Sequence, residues 1–370
     1  MMLTLLSALA LTLSPNDPAP EATPPQASAI AIKAKTIWLG DGRAVEDGVV
    51  LISGGKIQRV GRGVDIPQNA SVIEHDGVLT AGMISLHTYT GAETEVNEST
   101  RAVTADCDLI HAFNPAHKDF TKAREAGITT VVLTPPATNL AGGVTCVVKT
   151  SGKDPLARRA HLALSMCTES LLTNRYPTSY TSATAELDAR FEEGKGAFGQ
   201  AKSGQLTSMI DVRSRADVQR ALGLAKRHGL KGALHGADLA GELAEEIKAS
   251  GMAVVNAPLN TNTTGRTLKA MVALAEAGIP FGFGMDAPQN DVRGLRHSAA
   301  MCVRAGVEPS TAWKALTADA AKIAGVDARV GSLAQGKDAD LVLWSGNPLD
   351  LGSTIEAVYV DGEMVHGGDQ

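Results

Sequence analysis

The sequence predicts an α/β protein: a (β/α)8 TIM-like barrel with a small β-sandwich domain built from both chain ends. Between residues 81 and 330, short runs rich in β-branched residues alternate with helical stretches, and these 250 residues are close to the usual length of such a barrel. Outside that segment, each end of the chain carries only short alternating strands separated by Gly- and Asp-containing turns.

The terminal strands are predicted to form one discontinuous sandwich from residues 29–80 and 331–367. Neither set has enough apolar surface to fold alone, which is why we expect the two sets to combine. The predicted strands are Ile30–Trp38, 48–53, 56–60 and 71–73 at the front of the chain, and Leu341–Trp344 and Ile355–Val360 at the back.

The middle segment, residues 81–330, is predicted to consist of repeated strand–helix units. Glycines 127, 229, 251 and 278 stand just past predicted helix ends, where a left-handed residue closes the last turn. Such repeats imply parallel strands joined by right-handed crossovers. The first strand leads to residue 87, and the later predicted strands are 101–105, Ile128–Leu133, 160–166, 206–212, 231–235, 252–256 and 280–285.

The N terminus is predicted to lie outside this fold. Residues 1–14 form an apolar run of signal-peptide length, and residues 15–28 contain five prolines and predict an extended linker. A signal peptide implies a periplasmic or secreted protein, whereas the lack of Lys or Arg before the run leaves a cytoplasmic protein as the alternative. No later segment has about 18 uninterrupted apolar residues, so no membrane span is predicted.

Composition excludes several classes of protein. The 34 Lys and Arg against 40 Asp and Glu give a net charge of −6, and no basic cluster is present, which argues against nucleic acid as a partner. The four cysteines lie far apart without a C-x-x-C pair, which excludes a zinc ribbon, a thioredoxin-like motif and a disulfide-framed miniprotein.

Three residues with metal-binding chemistry fall at the ends of predicted strands: His87, His235 and Asp286. Because chemistry in such barrels lies at the C-terminal ends of the strands, we expect the three to meet at one opening. Imidazole and carboxylate groups suit Zn²⁺ or a similar divalent ion, which makes water nucleophilic near neutral pH. Singly, each has a structural alternative, namely a hydrogen-bonded loop histidine or an aspartate that begins a turn.

Segments near the C terminus resemble a known family. The stretch VGSLAQGKDADLVLW at 330–344, with GNPLD at 346–350 and VYVDG at 358–362, resembles the return from barrel to sandwich in the amidohydrolase superfamily, especially its imidazolonepropionase-like, metal-dependent branch. Segments 57–61 and 78–84 resemble the front of that sandwich. The resemblance implies hydrolysis of carbon–nitrogen bonds other than peptide bonds by metal-activated water.

The resemblance also implies which residues hold the metal. His87, His235 and Asp286 match three of the family's ligands, and Asp286 also matches its general base. The bridging group of the fourth strand matches Glu169, with Lys149 as the weaker candidate.

Two ligand positions of the family are substituted, so the metal site is degenerate. Tyr89 stands where the first strand usually carries a second His, and a phenol with a pKa of about 10 is a poor zinc ligand. The fifth-strand His is replaced as well, by Val212, Arg213 or Ser214, and an Arg there would repel a cation.

Three interpretations of function remain. The first is a hydrolase that acts on an amide or cyclic amide of a small molecule through one divalent ion, with Zn²⁺ favoured over Mn²⁺ or Fe²⁺ and with Asp286 as the base. The second is a catalytically inactive, metal-free barrel that serves as a binding module or as the partner of an active paralogue. The third is an enzyme rebuilt for metal-free chemistry, although no nucleophile motif supports it. The resemblance also implies a homo-oligomer.

Overall fold

A computed structural model describes residues 29–92 and 95–368. The signal peptide and the linker predicted at residues 1–14 and 15–28 lie outside the described residues. None of the described helices is both long enough and apolar enough to cross a bilayer.

The described part of the chain contains sixteen strands and nine α-helices, which for the most part alternate between residues 119 and 323. The strands are β1 Ile30–Trp38, β2 Ala44–Ser53, β3 Lys56–Gly61, β4 Ser71–Ala81, β5 Met83–Thr88, β6 Ile128–Leu133, β7 Ala141–Val144, β8 Cys146–Lys149, β9 His161–Ser165, β10 Thr207–Asp211, β11 Gly232–His235, β12 Ala253–Asn256, β13 Phe281–Phe283, β14 Leu341–Trp344, β15 Ile355–Val360 and β16 Glu363–Gly367. The helices are α1 Asp119–Glu125, α2 Tyr180–Glu193, α3 Gly196–Ser203, α4 Arg215–His228, α5 Ala244–Ser250, α6 Gly265–Glu276, α7 Gly294–Ala305, α8 Pro309–Lys314 and α9 Ala318–Ile323.

Helix α4 illustrates how the local sequence sets these elements. Ser214 and Asp217 form a capping box at its start, and buried Val218, Ala221 and Leu224 lie on one face at helical spacing. Gly229 ends the helix with a φ of 68°, a left-handed conformation that glycine adopts without strain. The other glycines predicted to end helices also have positive φ, so this prediction is confirmed.

The terminal strands form a single seven-stranded sheet in the order β16-β15-β14-β4-β1-β2-β3. Strand β1 is parallel to β4 and antiparallel to β2, while β14 pairs antiparallel with β4 and so joins the back of the chain to the front. One face of this sheet covers an apolar cluster that includes Ile32, Ile37, Leu79 and Leu341. Both chain ends therefore pair in one sheet, whereas the second, facing sheet of a sandwich stays a prediction.

The middle strands form a six-stranded sheet, β13-β12-β11-β10-β9-β7, and a three-stranded sheet, β5-β6-β8. Strands β9 to β13 are mutually parallel, and so are β5 and β6. The two sheets share one apolar cluster. Leu86 and Val132 from one sheet pack there with Met209 and Val255 from the other, and Ala321 of α9 belongs to the same cluster. The arrangement is TIM-barrel-like, with strands inside and helices outside.

The described strands depart from eight parallel strands in one closed ring, because β7 and β8 are antiparallel to their neighbours β9 and β6. The chain between β6 and β8 contains no α-helix, and without a crossover helix it returns antiparallel. The strand predicted at 101–105 is wrong, since this segment forms only an isolated bridge between Val103 and Ala141.

Lys149, the last residue of β8, connects the middle segment to the terminal sheet. Its buried Nζ lies 2.7 Å from Asp338 Oδ2, 2.9 Å from Asp340 Oδ1 and 2.5 Å from Asp361 Oδ1. Because β8 is antiparallel to β6, Lys149 pairs with Thr130 near the start of β6, away from the strand ends where His87 lies. As a candidate metal ligand, Lys149 is therefore wrong.

Candidate metal centre

Three strands bring His87, His235 and Asp286 together. His87 lies in β5, His235 ends β11, and Asp286 follows β13 by three residues. The carbonyl of His87 accepts hydrogen bonds from the backbone N–H groups of Met285 and Asp286, both at 3.1 Å, which fixes the end of β5 against the chain after β13. Gly284 permits this approach, since a Cβ there would lie 2.7 Å from the Cβ of His87 and 2.8 Å from Asp286 Oδ1.

The three side chains present their ligand atoms to one small space. The rings of His87 and His235 are stacked with their centroids 3.8 Å apart and an interplanar angle of 12°. Asp286 Oδ1 lies 2.6 Å from His87 Nδ1 and 3.9 Å from His235 Nε2. One ligand atom from each residue lies within 4.8 Å of the other two.

Asp211, which the sequence analysis missed, holds His235 from behind. Its Oδ1 lies 2.6 Å from His235 Nδ1, and both side chains are buried. Since a carboxylate only accepts, Nδ1 of His235 carries the hydrogen and Nε2 is left as the free lone pair. A strand's side chains alternate, so Asp211 shares the inward face of β10 with Met209 in the interior layer, and this period of two was the signal available in the sequence.

The protonation states suit metal ligands. Burial, followed by the neighbouring charge of His235, holds the pKa of His87 below its usual value, although Asp286 opposes the shift. Burial alone would raise the pKa values of Asp211 and Asp286, but hydrogen bonds from His235 and His87 and the electrostatic interaction with both rings keep them below the usual value. Ionised carboxylates beside a neutral imidazole are the forms that bind a cation.

The backbone at Asp286 is strained in a way that aspartate tolerates. Its φ is +46°, in the left-handed region that few non-glycine residues enter. Strain of this kind persists only where the surroundings enforce it, and such sites are often functional. Here it aims Oδ1 at both imidazoles.

A divalent ion fits these residues. His235 Nε2 is buried and has no hydrogen-bond partner among the described residues. A buried polar atom without a partner is costly, and coordination of a cation would satisfy it. The donor set of two imidazoles and a carboxylate, with a carboxylate behind one imidazole, is the usual one for a catalytic zinc site.

Tyr89 lies next to the site without acting as a ligand. Its ring meets that of His87 edge to face, with the centroids 5.6 Å apart. Burial and the charges of Asp211 and Asp286 raise the pKa of the phenol to about 12, so it stays protonated at neutral pH. A protonated phenol is a hydrogen-bond donor and a poor metal ligand.

The other predicted positions lie at the rim of the site or outside it. Ser214 is the N-cap of α4, where its hydroxyl accepts a hydrogen bond from the backbone N–H of Asp217. Arg213 is 40% exposed, with Nε 3.2 Å from Glu169 Oε1 and Nη1 3.7 Å from Asp211 Oδ1. Glu169, the predicted bridging ligand, thus pairs with Arg213 and does not join the group of three.

Comparisons with known proteins agree with this fold. Residues 192–365 match the sequence model of the amidohydrolase family. An amidohydrolase from Thermotoga maritima MSB8 is 24% identical with a TM-score of 0.82, over 92% of this chain and 100% of that one. A Xaa-Pro dipeptidase solved with bound methionine is 15% identical with a TM-score of 0.62, over 92% and 100% of the two chains. The A. niger ochratoxinase is 18% identical with a TM-score of 0.59, over 93% and 96%.

No curated protein matches the sequence. At these identities the solved structures establish a shared fold. One of them is a dipeptidase, so proteins with this fold also act on peptide bonds. The imidazolonepropionase-like branch stays a prediction. In sequence, residues 192–365, just under half of the chain, match the amidohydrolase family, and more than nine-tenths of the chain shares its fold with the amidohydrolase from Thermotoga maritima.

Proposed function

We propose that this protein hydrolyses a carbon–nitrogen bond in a small amide or cyclic amide, with one divalent ion held by His87, His235 and Asp286. The observation that carries the proposal is the convergence of three ligand atoms within 4.8 Å, one of them the unpartnered His235 Nε2. Zn²⁺ is the ion that this donor set favours, with Mn²⁺ or Fe²⁺ as alternatives.

A bound divalent ion supplies Lewis acidity, which activates water near neutral pH and polarises the carbonyl of the substrate. The chain's own residues do the rest. Asp286 Oδ1 is ionised and accepts the proton of the attacking water. Asp211 keeps the hydrogen of His235 on Nδ1, and burial keeps His87 neutral. The Tyr89 hydroxyl stays protonated at the edge of the site and can donate to developing negative charge on the substrate.

The test is the metal content of protein purified without chelator, measured by elemental analysis with and without Zn²⁺, Mn²⁺ or Fe²⁺, followed by a hydrolysis screen of amides and cyclic amides. We expect one ion per chain, lost in His235→Ala and kept in His111→Ala, an exposed histidine outside the site. If the protein binds no ion under any of these conditions, the alternative is an inactive, metal-free binding module. The observation that favours this alternative is the cationic Arg213, which pairs with Glu169 and Asp211 at the rim of the site.

Asp211→Asn should weaken metal binding by about 10–100-fold, the usual loss when the partner behind a ligating histidine is replaced. An amide lacks the charge that holds the His235 hydrogen on Nδ1, so Nε2 becomes a poorer ligand. Competition with a metal-binding dye measures the affinity. Asp154→Asn is the control, an exposed aspartate outside the site, and it should bind the ion as the wild type does. Equal affinities in Asp211→Asn and wild type would show that Asp211 does not orient the ligand.

A further inference from the structure

Arg213 is the cationic side chain that faces the candidate metal centre. It follows the end of β10 by two residues and is 40% exposed, so its guanidinium lies at the opening rather than in the core. It is close enough to Asp211 and Asp286 to help lower the pKa of both carboxyl groups, which burial raises and which the two histidines lower more strongly than Arg213 does. A positively charged side chain repels a metal ion nearby, so its presence here suggests that it binds something else.

Two backbone carbonyls hold the guanidinium at Nη1. Its Nη1 donates to the carbonyl of Val212 at 2.8 Å and to that of His235 at 3.5 Å. Gly236 leaves the space for it, since a Cβ there would lie 2.2 Å from Nη1. The opposite edge presents two donors side by side, Nε and Nη2. Its Nε pairs with Glu169, and none of the described residues accepts a hydrogen bond from Nη2.

Glu169, the partner of the edge formed by Nε and Nη2, is replaceable. Glu169 lies on the one-turn helix Thr168–Ser170, and its side chain is 42% exposed, with Oε1 3.2 Å from Arg213 Nε. Its other contact is a long hydrogen bond of 3.4 Å from the hydroxyl of Thr168. Exposed ion pairs contribute little to stability, so another carboxylate can displace Glu169 at small cost. Glu169 thus occupies the place where an incoming carboxylate would bind.

From this geometry we infer that Arg213 binds a carboxylate of the substrate through Nε and Nη2, so that the substrates are N-acyl amino acids or similar amides bearing a carboxylate near the bond that is cleaved. A planar guanidinium with two parallel N–H donors matches a carboxylate bidentately, which an ammonium group does not. The inference rests on the proposed function for the bond that is cleaved, but the carboxylate site itself does not need the metal.

The experiment measures binding of N-acetylglycine and N-acetylleucine, and of their uncharged carboxamides, to chelator-treated protein by ligand-observed NMR titration. Wild-type protein should bind each acid at least about tenfold more tightly than its amide, as expected for a charge-assisted pair of hydrogen bonds. Arg213→Met should remove this preference, Arg213→Lys should keep part of it, and Glu169→Gln should strengthen acid binding severalfold because the competing carboxylate is gone.

Arg215→Met is the matched control, since Arg215 is an exposed arginine at the start of α4, and it should keep the full preference. Wild-type protein that does not bind the acids, or an undiminished preference in Arg213→Met, overturns the inference. Because the titration is done without metal, it is independent of the metal site. A carboxylate preference that depends on Arg213, together with the absence of hydrolysis in metal-loaded protein, would refute the proposed function while leaving the binding site in place.

Discussion

Asp286→Asn should slow hydrolysis by about 10²–10⁴-fold, the usual contribution of a positioned acid or base, and should also weaken metal binding. The proposed function gives this carboxylate two roles, ligand and proton acceptor, and its Oδ1 lies beside both imidazoles, 2.6 Å from His87 Nδ1 and 3.9 Å from His235 Nε2. Asparagine keeps the shape of the side chain, but it carries no charge and accepts no proton at neutral pH. The measurements are kcat on the substrate found in the screen and the affinity for Zn²⁺.

Saturating metal separates the two roles of Asp286. If the aspartate were only a ligand, excess Zn²⁺ would restore kcat in Asp286→Asn; as the base, it should leave kcat low even when the site is full. Asp291→Asn is the control from the same loop, because Asp291 is half exposed and pairs with Arg293 instead of a histidine. Wild-type kcat and wild-type metal affinity in Asp286→Asn would exclude Asp286 from the site.

The main parts of the site were predictable because each depends on a local position at a strand end. His87, His235 and Asp286 all carry ligand chemistry at such positions, and the structure brings them together. Asp211 was not predicted because the family resemblance places a histidine at the end of β10, a position that residue 212, 213 or 214 occupies in this sequence. The alternation of inward and outward side chains, which puts Asp211 on the same face as Met209, was the better guide.

What the sequence could not show is the direction of strands whose pairing is non-local. No strand is predicted at 146–149 from the sequence, and nothing in the pattern of these residues states whether a strand there would be parallel or antiparallel to its neighbours. That direction decides which end of the barrel Lys149 occupies. Its antiparallel pairing with β6 moves the side chain from the opening, where it would have been a candidate ligand, to the junction with the terminal sheet.

Lys149→Met should lower the free energy of unfolding by about 3–5 kcal/mol, the usual cost of removing one partner from a buried ion pair. The Lys149 side chain is 2% exposed, and its Nζ pairs with Asp338, Asp340 and Asp361, of which the first two are almost fully buried. Methionine fills similar space but leaves these carboxylates facing each other with less positive charge. Urea denaturation followed by circular dichroism measures the change in the free energy of unfolding.

Lys153→Met is the matched control for this change. Lys153 also reaches a carboxylate of the terminal sheet, with Nζ 2.8 Å from Glu363 Oε1, but both side chains are about half exposed or more. An exposed pair contributes about 0–1 kcal/mol, so this variant should unfold almost as the wild type does. An equal decrease in the free energy of unfolding in both lysine variants would show that burial of the Lys149 ion pairs does not add to their effect on stability.

Asp340→Asn should lower the free energy of unfolding less than Lys149→Met does, because the charge of Asp340 stabilises the folded state little. Burial raises its pKa to about 6, and its Oδ2 has no hydrogen-bond partner among the described residues. A carboxyl group whose pKa is higher in the folded than in the unfolded state makes a contribution to stability that falls as the pH rises from about 4 to about 6. Asparagine keeps an acceptor for Lys149 and for the backbone N–H of Asp361, and it removes this pH dependence.

Metal binding by these variants distinguishes the role of the cluster of Lys149, Asp338, Asp340 and Asp361 from the role of the metal centre. Lys149 lies at the junction with the terminal sheet, so folded Lys149→Met protein, at a temperature where it is stable, should bind Zn²⁺ as tightly as the wild type does. His235→Ala should show the opposite pattern, with lost metal and a smaller change in unfolding free energy when metal is absent. A fall in metal affinity in Lys149→Met would restore Lys149 as a ligand and contradict the antiparallel direction of β8, since only a reversed strand would bring its end to the opening.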